Sequence, residues 1–139
     1  MSRTLALDLG ERRIGVALSD PSGLIAQPLS VIERRSLQAD LRQIAALVAA
    51  HDVERVVVGY PLTLAGRSER AAQRVDRFIA QLRRALPVEV ATVDERFSTV
   101  AAERALLEGG LRRERRRRVR DAVAAALILQ ADLDRRRAG

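Results

Sequence analysis

The sequence contains no cysteine and no tryptophan, and aromatic residues make up only 2% of its 139 positions. The absence of cysteine excludes disulfides and thiolate metal sites. The scarcity of aromatic side chains argues against recognition of single strands by base stacking. No run approaches the ~18 apolar residues that a membrane helix requires, and the first residues lack the pattern of a signal peptide. We therefore expect a cytoplasmic protein with no membrane partner.

Lysine is also absent, so all 25 basic residues are arginine, and the formal net charge is +7. A genome biased toward arginine codons would account for part of this excess. Surface arginine nonetheless binds phosphate oxygens in a bidentate manner. The charge therefore predicts a polyanionic partner, without choosing between DNA and RNA.

Hydrophobic periodicity predicts one α/β domain over residues 1–139, with three strands first and then alternating helices and strands. Apolar runs bounded by turn residues predict strands at 3–9, 13–19, 24–31, 55–59 and 88–93. The predicted helices run from the cap Ser36 to about Ala50, from Ser68 to before Pro87, from 98 or 99 to 108, and over 119–135. The arginine tract at 112–120 is expected to be a loop, either solvated and mobile or acting as a phosphate clamp.

Three acidic residues stand at unusual places in this pattern. Asp8 closes the first strand, Glu95 follows the last strand, and Asp121 precedes an apolar run that must be buried. Each has a simple structural explanation, namely a turn at Asp8, a cap or ion pair at Glu95, and a helix macrodipole at Asp121. Together, at the carboxyl ends of strands in a basic chain, they indicate a functional site.

Three carboxylates without histidine or cysteine favour an oxygen-ligated cation, Mg²⁺ or Mn²⁺. Such ions stabilise an in-line phosphoryl displacement without a histidine base. The single histidine, His51, follows a helix and is expected to be structural or solvated. Gly10 would allow the backbone or a phosphate to come close to Asp8.

Four sequence blocks occur in order along the chain: DLGERRIGVALSD, VVVGYPLTLAG, VDERFST and RDAVAAALILQADL. Taken together they resemble the YqgF (RuvX) family of pre-16S rRNA nucleases and Holliday-junction-resolvase-like proteins. The resemblance covers nearly the whole chain. It implies an RNase H-like fold, with a five-stranded mixed sheet in the order 3-2-1-4-5, strand 2 antiparallel, and helices on both faces.

The same resemblance implies the roles of particular residues. Asp8, Glu95 and Asp121 would be the catalytic and metal-binding acids. Nucleic-acid-binding residues would be Arg13, Arg96, Arg115, Arg116, Arg117 and Arg118. Residues that shape the site would be Gly10, Gly59, Pro61, Gly66, Ser98 and Thr99. Many related nucleases carry an acid after the fourth strand, but this chain has Gly59-Tyr60-Pro61 there, so Glu95 would substitute.

The resemblance predicts a metal-dependent nuclease that matures the 5′ end of pre-16S rRNA. One alternative is a structure-selective DNA endonuclease that resolves four-way junctions, acting as a homodimer rather than a monomer. Another is a non-catalytic RNA-binding factor. An actin-like ATPase or sugar kinase shares the Asp-x-Gly hairpin but needs two such domains.

Overall fold

The structure, a computed structural model, describes residues 3–60, 68–94 and 113–138. In chain order its elements are β1 (Arg3–Leu9), β2 (Arg13–Ser19), β3 (Ala26–Glu33), α1 (Leu37–Ala50), β4 (Val53–Tyr60), α2 (Ser68–Ala85), β5 (Glu89–Asp94) and α3 (Arg113–Ala138). Within these ranges no helix is long and apolar enough to cross a membrane.

The five strands form one mixed sheet in the order β3-β2-β1-β4-β5. β2 is antiparallel to both β1 and β3, whereas β1, β4 and β5 are parallel. The predicted strand order and the antiparallel second strand are confirmed. Because β1, β3, β4 and β5 run in the same direction, their carboxyl ends lie at one side of the sheet, which we call the carboxyl edge.

The alternation of side chains along the strands produces two hydrophobic layers. On one face Leu7, Val16 and Val58 pack with α1 and α2. On the other face Ala6, Ala17 and Val57 pack beneath α3. Small residues on the second face allow α3 to lie close to the strands. The prediction of helices on both faces is thus confirmed.

Local signals in the sequence explain several boundaries. The Ser36 hydroxyl accepts a hydrogen bond from the Ala39 N–H at 3.1 Å, so α1 begins where its cap predicts. The α1 helix ends at Ala50, and the N–H of His51 donates to the Leu47 carbonyl at 3.0 Å.

Several predicted boundaries differ from the structure, and two of these differences have a clear physical reason. β3 begins at Ala26 rather than at residue 24, because the N–H groups of Leu24 and Ile25 donate to the Asp20 carboxylate at 2.8 and 2.9 Å. The last helix begins at Arg113 rather than at residue 119, so most of the arginine tract is helical and not a loop. Arginine is among the better helix-forming residues, and a run of it therefore extends the helix that follows.

A buried ion pair joins the sheet to α3. Arg55 on β4 donates from Nη1 to Asp132 Oδ2 at 2.6 Å and from Nη2 to Asp132 Oδ1 at 3.3 Å. The two side chains are only 13% and 6% exposed. Sequence analysis did not single out this pair, because its members are 77 positions apart.

Candidate functional site

Asp8 lies one residue before the end of β1, at the carboxyl edge, and is only 6% exposed. It is two residues from Ala6, which belongs to the layer beneath α3. Successive side chains alternate across a strand, so Asp8 is on the α3 face of the sheet. Its partner in the β1–β2 ladder is Gly15.

At Gly15 the backbone of α3 lies directly against the sheet. A Cβ atom built on Gly15 would lie 1.9 Å from the carbonyl oxygen of Asp121 and 3.3 Å from the Ala122 nitrogen. Only glycine permits this contact between the backbones of strand and helix. Since Gly15 pairs with Asp8, the contact brings Asp121 to the strand position beside Asp8.

The other strand beside β1, which is β4, also has a glycine next to Asp8. The ladder between β1 and β4 pairs Leu7 with Val58, and the next residues along these strands are Asp8 and Gly59. Gly59 shares the α3 face with Val57, because the two are separated by two positions. Asp8 therefore lies between two glycines, so neither neighbouring strand places a side chain beside its carboxylate on the face that α3 covers.

Arg13, at the start of β2, pairs with Asp121. Its Nε donates to Asp121 Oδ2 at 2.8 Å, and the two side chains are 20% and 17% exposed. The pair neutralises one of the two described site acids. A guanidinium has five N–H donors, so Arg13 retains donors for a further oxygen ligand such as a phosphate.

Gly10 closes the turn that connects Asp8 to Arg13. Its N–H donates to the Arg13 carbonyl at 2.9 Å, and a Cβ atom on Gly10 would lie 2.7 Å from the same oxygen. The predicted close approach at Gly10 is thus an approach of backbone to backbone.

Arg34, which sequence analysis missed, anchors this turn from the other face. It follows β3 at the carboxyl edge, and its Nη1 donates to the Gly10 carbonyl at 2.8 Å. Its Nε lies 3.5 Å from Oδ2 of Asp40, which is 1% exposed, and its guanidinium lies 5.3 Å from the Phe78 ring centroid. In the sequence Arg34 is one of two consecutive arginines and Asp40 is a first-turn acid, so neither gave a signal.

Several predicted site residues cannot be placed. Those outside the described residues are Pro61, Gly66, Glu95, Arg96, Ser98 and Thr99. The tract from Arg115 to Arg118 lies within the first two turns of α3, and its side chains are not described.

Asp121 lies eight residues after the start of α3, more than two turns. A macrodipole acts within about one turn, so it does not explain Asp121.

The donor chemistry of the site suits a hard cation. Asp8 and Asp121 offer carboxylate oxygens, the ligands that Mg²⁺ and Mn²⁺ prefer. In the described ranges there is no cluster of three or more potential metal-ligating side chains. These ranges contain two of the three predicted acids, and Glu95 immediately follows the last described residue of β5.

Comparison with known proteins places this geometry in context. The family described as RuvX, Holliday junction resolvase, matches residues 2–135. A protein of Desulforudis audaxviator named "Putative pre-16S rRNA nuclease" is 45% identical over 99% of this chain and 97% of its own length. A Myxococcus xanthus protein of the same name is 47% identical over 97% of this chain and 89% of its own length.

Among solved structures, RuvC of Thermus thermophilus in complex with a Holliday junction substrate is similar in fold. The TM-score is 0.65 at 17% identity, with 99% of this chain and 97% of that chain covered. The predicted RNase H-like fold is confirmed by this likeness and by the strand order.

Proposed function

The chain belongs to the RuvX family, and from that premise we propose that it is a divalent-metal-dependent nuclease. Its substrate is structured RNA, and the reaction is phosphodiester hydrolysis during maturation of the 5′ end of pre-16S rRNA. The names of its relatives support this substrate. The reaction class is supported by the excess of arginine and by the acids at the carboxyl edge.

The observation that carries the proposal is the contact between Gly15 and the Asp121 backbone. A carboxylate is costly to bury without a compensating charge or hydrogen bonds. Here Asp8 on β1 is buried, and Asp121 on α3 is brought to the same level of the sheet because Gly15 lets the helix backbone contact the strand. A purely structural aspartate at a turn would not require the helix to come so close.

In the proposed reaction Asp8, Glu95 and Asp121 hold Mg²⁺ or Mn²⁺. When bound there, such an ion would supply the Lewis-acid chemistry for phosphodiester hydrolysis. Arg13 orients Asp121 through its Nε and offers its remaining N–H groups to the scissile phosphate. Gly10 closes the turn that places Arg13 near Asp8, while Gly59, Pro61 and Gly66 keep the surroundings open to the nucleic-acid backbone.

The remaining predicted residues act on the rest of the substrate. Arg96 and the arginines from Arg115 to Arg118 bind phosphates, while Ser98 and Thr99 shape the site. Residues 1–139 act as one nuclease domain in the cytoplasm.

A second candidate function is resolution of four-way DNA junctions. The description of the RuvX family and the fold shared with RuvC favour it. Such an enzyme would act as a two-fold dimer and give symmetric nicks. The described residues show the same acids for both reactions, so the substrate must be distinguished by experiment.

The test is a cleavage assay with two substrates, a 16S precursor transcript and a four-way DNA junction. Each is incubated with Mg²⁺, with Mn²⁺ or with EDTA, using wild-type protein and the Asp8→Asn variant. A matched control is Asp52→Asn, which makes the same change at an exposed turn before β4. Asp52 has a φ of 54°, a conformation that asparagine also tolerates.

We expect cleavage of the transcript that requires metal, is lost in Asp8→Asn and is retained in Asp52→Asn. Symmetric cleavage of the junction alone would favour the resolvase. Full metal-dependent activity in Asp8→Asn would refute the proposed site. Binding of the transcript without cleavage under any condition would instead indicate a non-catalytic RNA-binding factor.

A further inference from the structure

A second candidate binding surface lies on the face of the sheet opposite α3. It is a groove of about 510 Å³ between the first turn of α1 and the middle of α2. Leu37 and Phe78 form its apolar floor, and Arg34, Arg74 and Arg77 surround it. We call it the α1–α2 groove. Arg34 also anchors the turn of the site described above, whereas Arg74 and Arg77 have no part in that site.

Positive charge dominates the α1–α2 groove. Arg77 is exposed and has no hydrogen-bond or ion-pair partner among the residues that the structure describes. Arg74 is 56% exposed and lies 3.7 Å from Glu11, whose own side chain is 79% exposed, so this pair is weak and easily exchanged. Both side chains can therefore turn toward an anion in the groove at little cost.

The nearby acids are already engaged elsewhere. Asp40 is buried beneath Arg34 and accepts the Arg35 N–H at 3.1 Å. Asp76, the neighbour of Arg77 in sequence, accepts the Tyr60 hydroxyl at 2.9 Å, and this hydrogen bond raises the pKa of Tyr60. Arg34 is compensated by Asp40, whereas Arg74 and Arg77 face the solvent with little compensating negative charge.

Two arginines of the α1–α2 groove contact the turn that connects Asp8 to Arg13. Arg34 donates to the Gly10 carbonyl, and Arg74 pairs with Glu11 in the same turn. Gly10 is two residues beyond Asp8, a span of about 7 Å at strand geometry. A chain of phosphates that has one member at Asp8 would reach the groove by crossing this turn.

We propose that the α1–α2 groove is a second phosphate-binding subsite, which holds the backbone of the RNA strand beyond the bond that is cut. Arg74 and Arg77 bind successive phosphates, while Arg34, fixed by Asp40, Phe78 and Gly10, forms the end nearest the catalytic acids. The apolar floor accommodates a ribose or base. This inference rests on the proposed nuclease function for the identity of the strand.

The test measures binding of a single-stranded RNA oligonucleotide in EDTA, as a function of salt, so that cleavage does not contribute. Each phosphate contact adds about 0.7 to the slope of log affinity against log salt for single strands. We expect the double variant Arg74→Ala/Arg77→Ala to lower that slope by about 1.4. The matched control, Arg42→Ala/Arg84→Ala, removes two exposed arginines from the same helices outside the groove lining and should change the slope little.

A second measurement locates the RNA directly. The chain has no cysteine, so a thiol-reactive photocrosslinker can be attached at one chosen position. Gln81→Cys places it in the groove, whereas Arg42→Cys places it outside the lining residues. We expect RNA to be crosslinked from position 81 and not from position 42.

An unchanged slope in the groove variant, together with no crosslink from position 81, would overturn the subsite. So would selective loss of poly-glutamate peptide binding with RNA binding intact, which would assign the groove to an acidic protein segment. These outcomes are independent of the proposed reaction. If the groove does not bind RNA, the cleavage assay with Asp8→Asn is unaffected. If no cleavage is found, the salt dependence of binding still shows whether the groove binds RNA.

Discussion

The substitution Gly15→Ala probes the contact on which the candidate site depends. The new Cβ atom would lie 1.9 Å from the Asp121 carbonyl oxygen, whereas real Cβ atoms essentially never approach closer than 3.0 Å. The strand and helix must therefore separate by about 1.1 Å. The position of a Cβ is fixed by its own backbone and its partner is a backbone carbonyl, so no rotamer change relieves the clash, and α3 has to move over a layer that includes Ala124, Ile128 and Leu129.

Inserting one carbon into a packed interior costs about 1–3 kcal/mol when side chains can adjust. At Gly15 we expect a loss of about 3 kcal/mol, because a whole helix must shift. In a domain of this size each kcal/mol lowers Tm by about 3–4 °C, so Tm should fall by about 10 °C. If the nuclease proposal holds, a shift of about 1 Å in Asp121 should also lower the cleavage rate about 100-fold.

Urea unfolding of the wild type and the variant gives the two free energies, provided that the m-value is unchanged. The control is Gly23→Ala, where a Cβ atom meets nothing within 4 Å and φ is +75°. That substitution carries only the strain of a left-handed backbone, about 1–2 kcal/mol. Should Gly15→Ala prove no more destabilising than Gly23→Ala, the close contact between α3 and β2 would be wrong.

Two further predictions concern charged groups away from the site. Replacing Asp132 by alanine removes the buried partner of Arg55 and leaves it only Glu89, whose side chain is 67% exposed, so we expect a loss of about 3 kcal/mol in urea unfolding, largely recovered by the double variant Arg55→Met/Asp132→Leu; a double variant as unstable as the single one would contradict this. The N–H groups of Ile25 and Leu24, with the Ser22 hydroxyl, lower the pKa of Asp20 from 3.8 to about 2. Because the folded pKa is depressed, Asp20 stabilises the fold above pH 3.8 and loses this effect as pH falls through 2. NMR titration should give that pKa, and the stability difference between wild type and Asp20→Asn should shrink over the same interval.

Where the sequence predicted structure well, the signal was local. Ser36 has a side chain that caps the helix beside it, and the β-branched run from residue 55 is typical of a buried strand. The position of Asp8 at a strand end also follows from its immediate neighbours. The sheet order, in contrast, came from the family resemblance, since no short stretch of sequence encodes which strands are adjacent.

What the sequence did not reveal depends on partners distant along the chain. Gly15 reads as an ordinary strand glycine until α3 is placed on it. Asp132 and Arg55 are solvated charges in any local reading, and Arg34 gains its role only because β3 ends beside the β1–β2 turn. The start of α3 was misjudged for a different reason, because charge was taken as a sign of a loop although arginine favours helix.

The ion pair between Arg13 and Asp121 spans 108 positions of the chain. A ribosome delivers residues from the amino terminus at about 5–20 per second, so β1, β2 and β3 emerge several seconds before α3. The hairpins can form as soon as they are synthesised, but Asp8 and Asp121 cannot come together until α3 has been synthesised. Biosynthesis thus imposes an order on the site, and while the nascent chain is still beside ribosomal RNA its acid pair is incomplete.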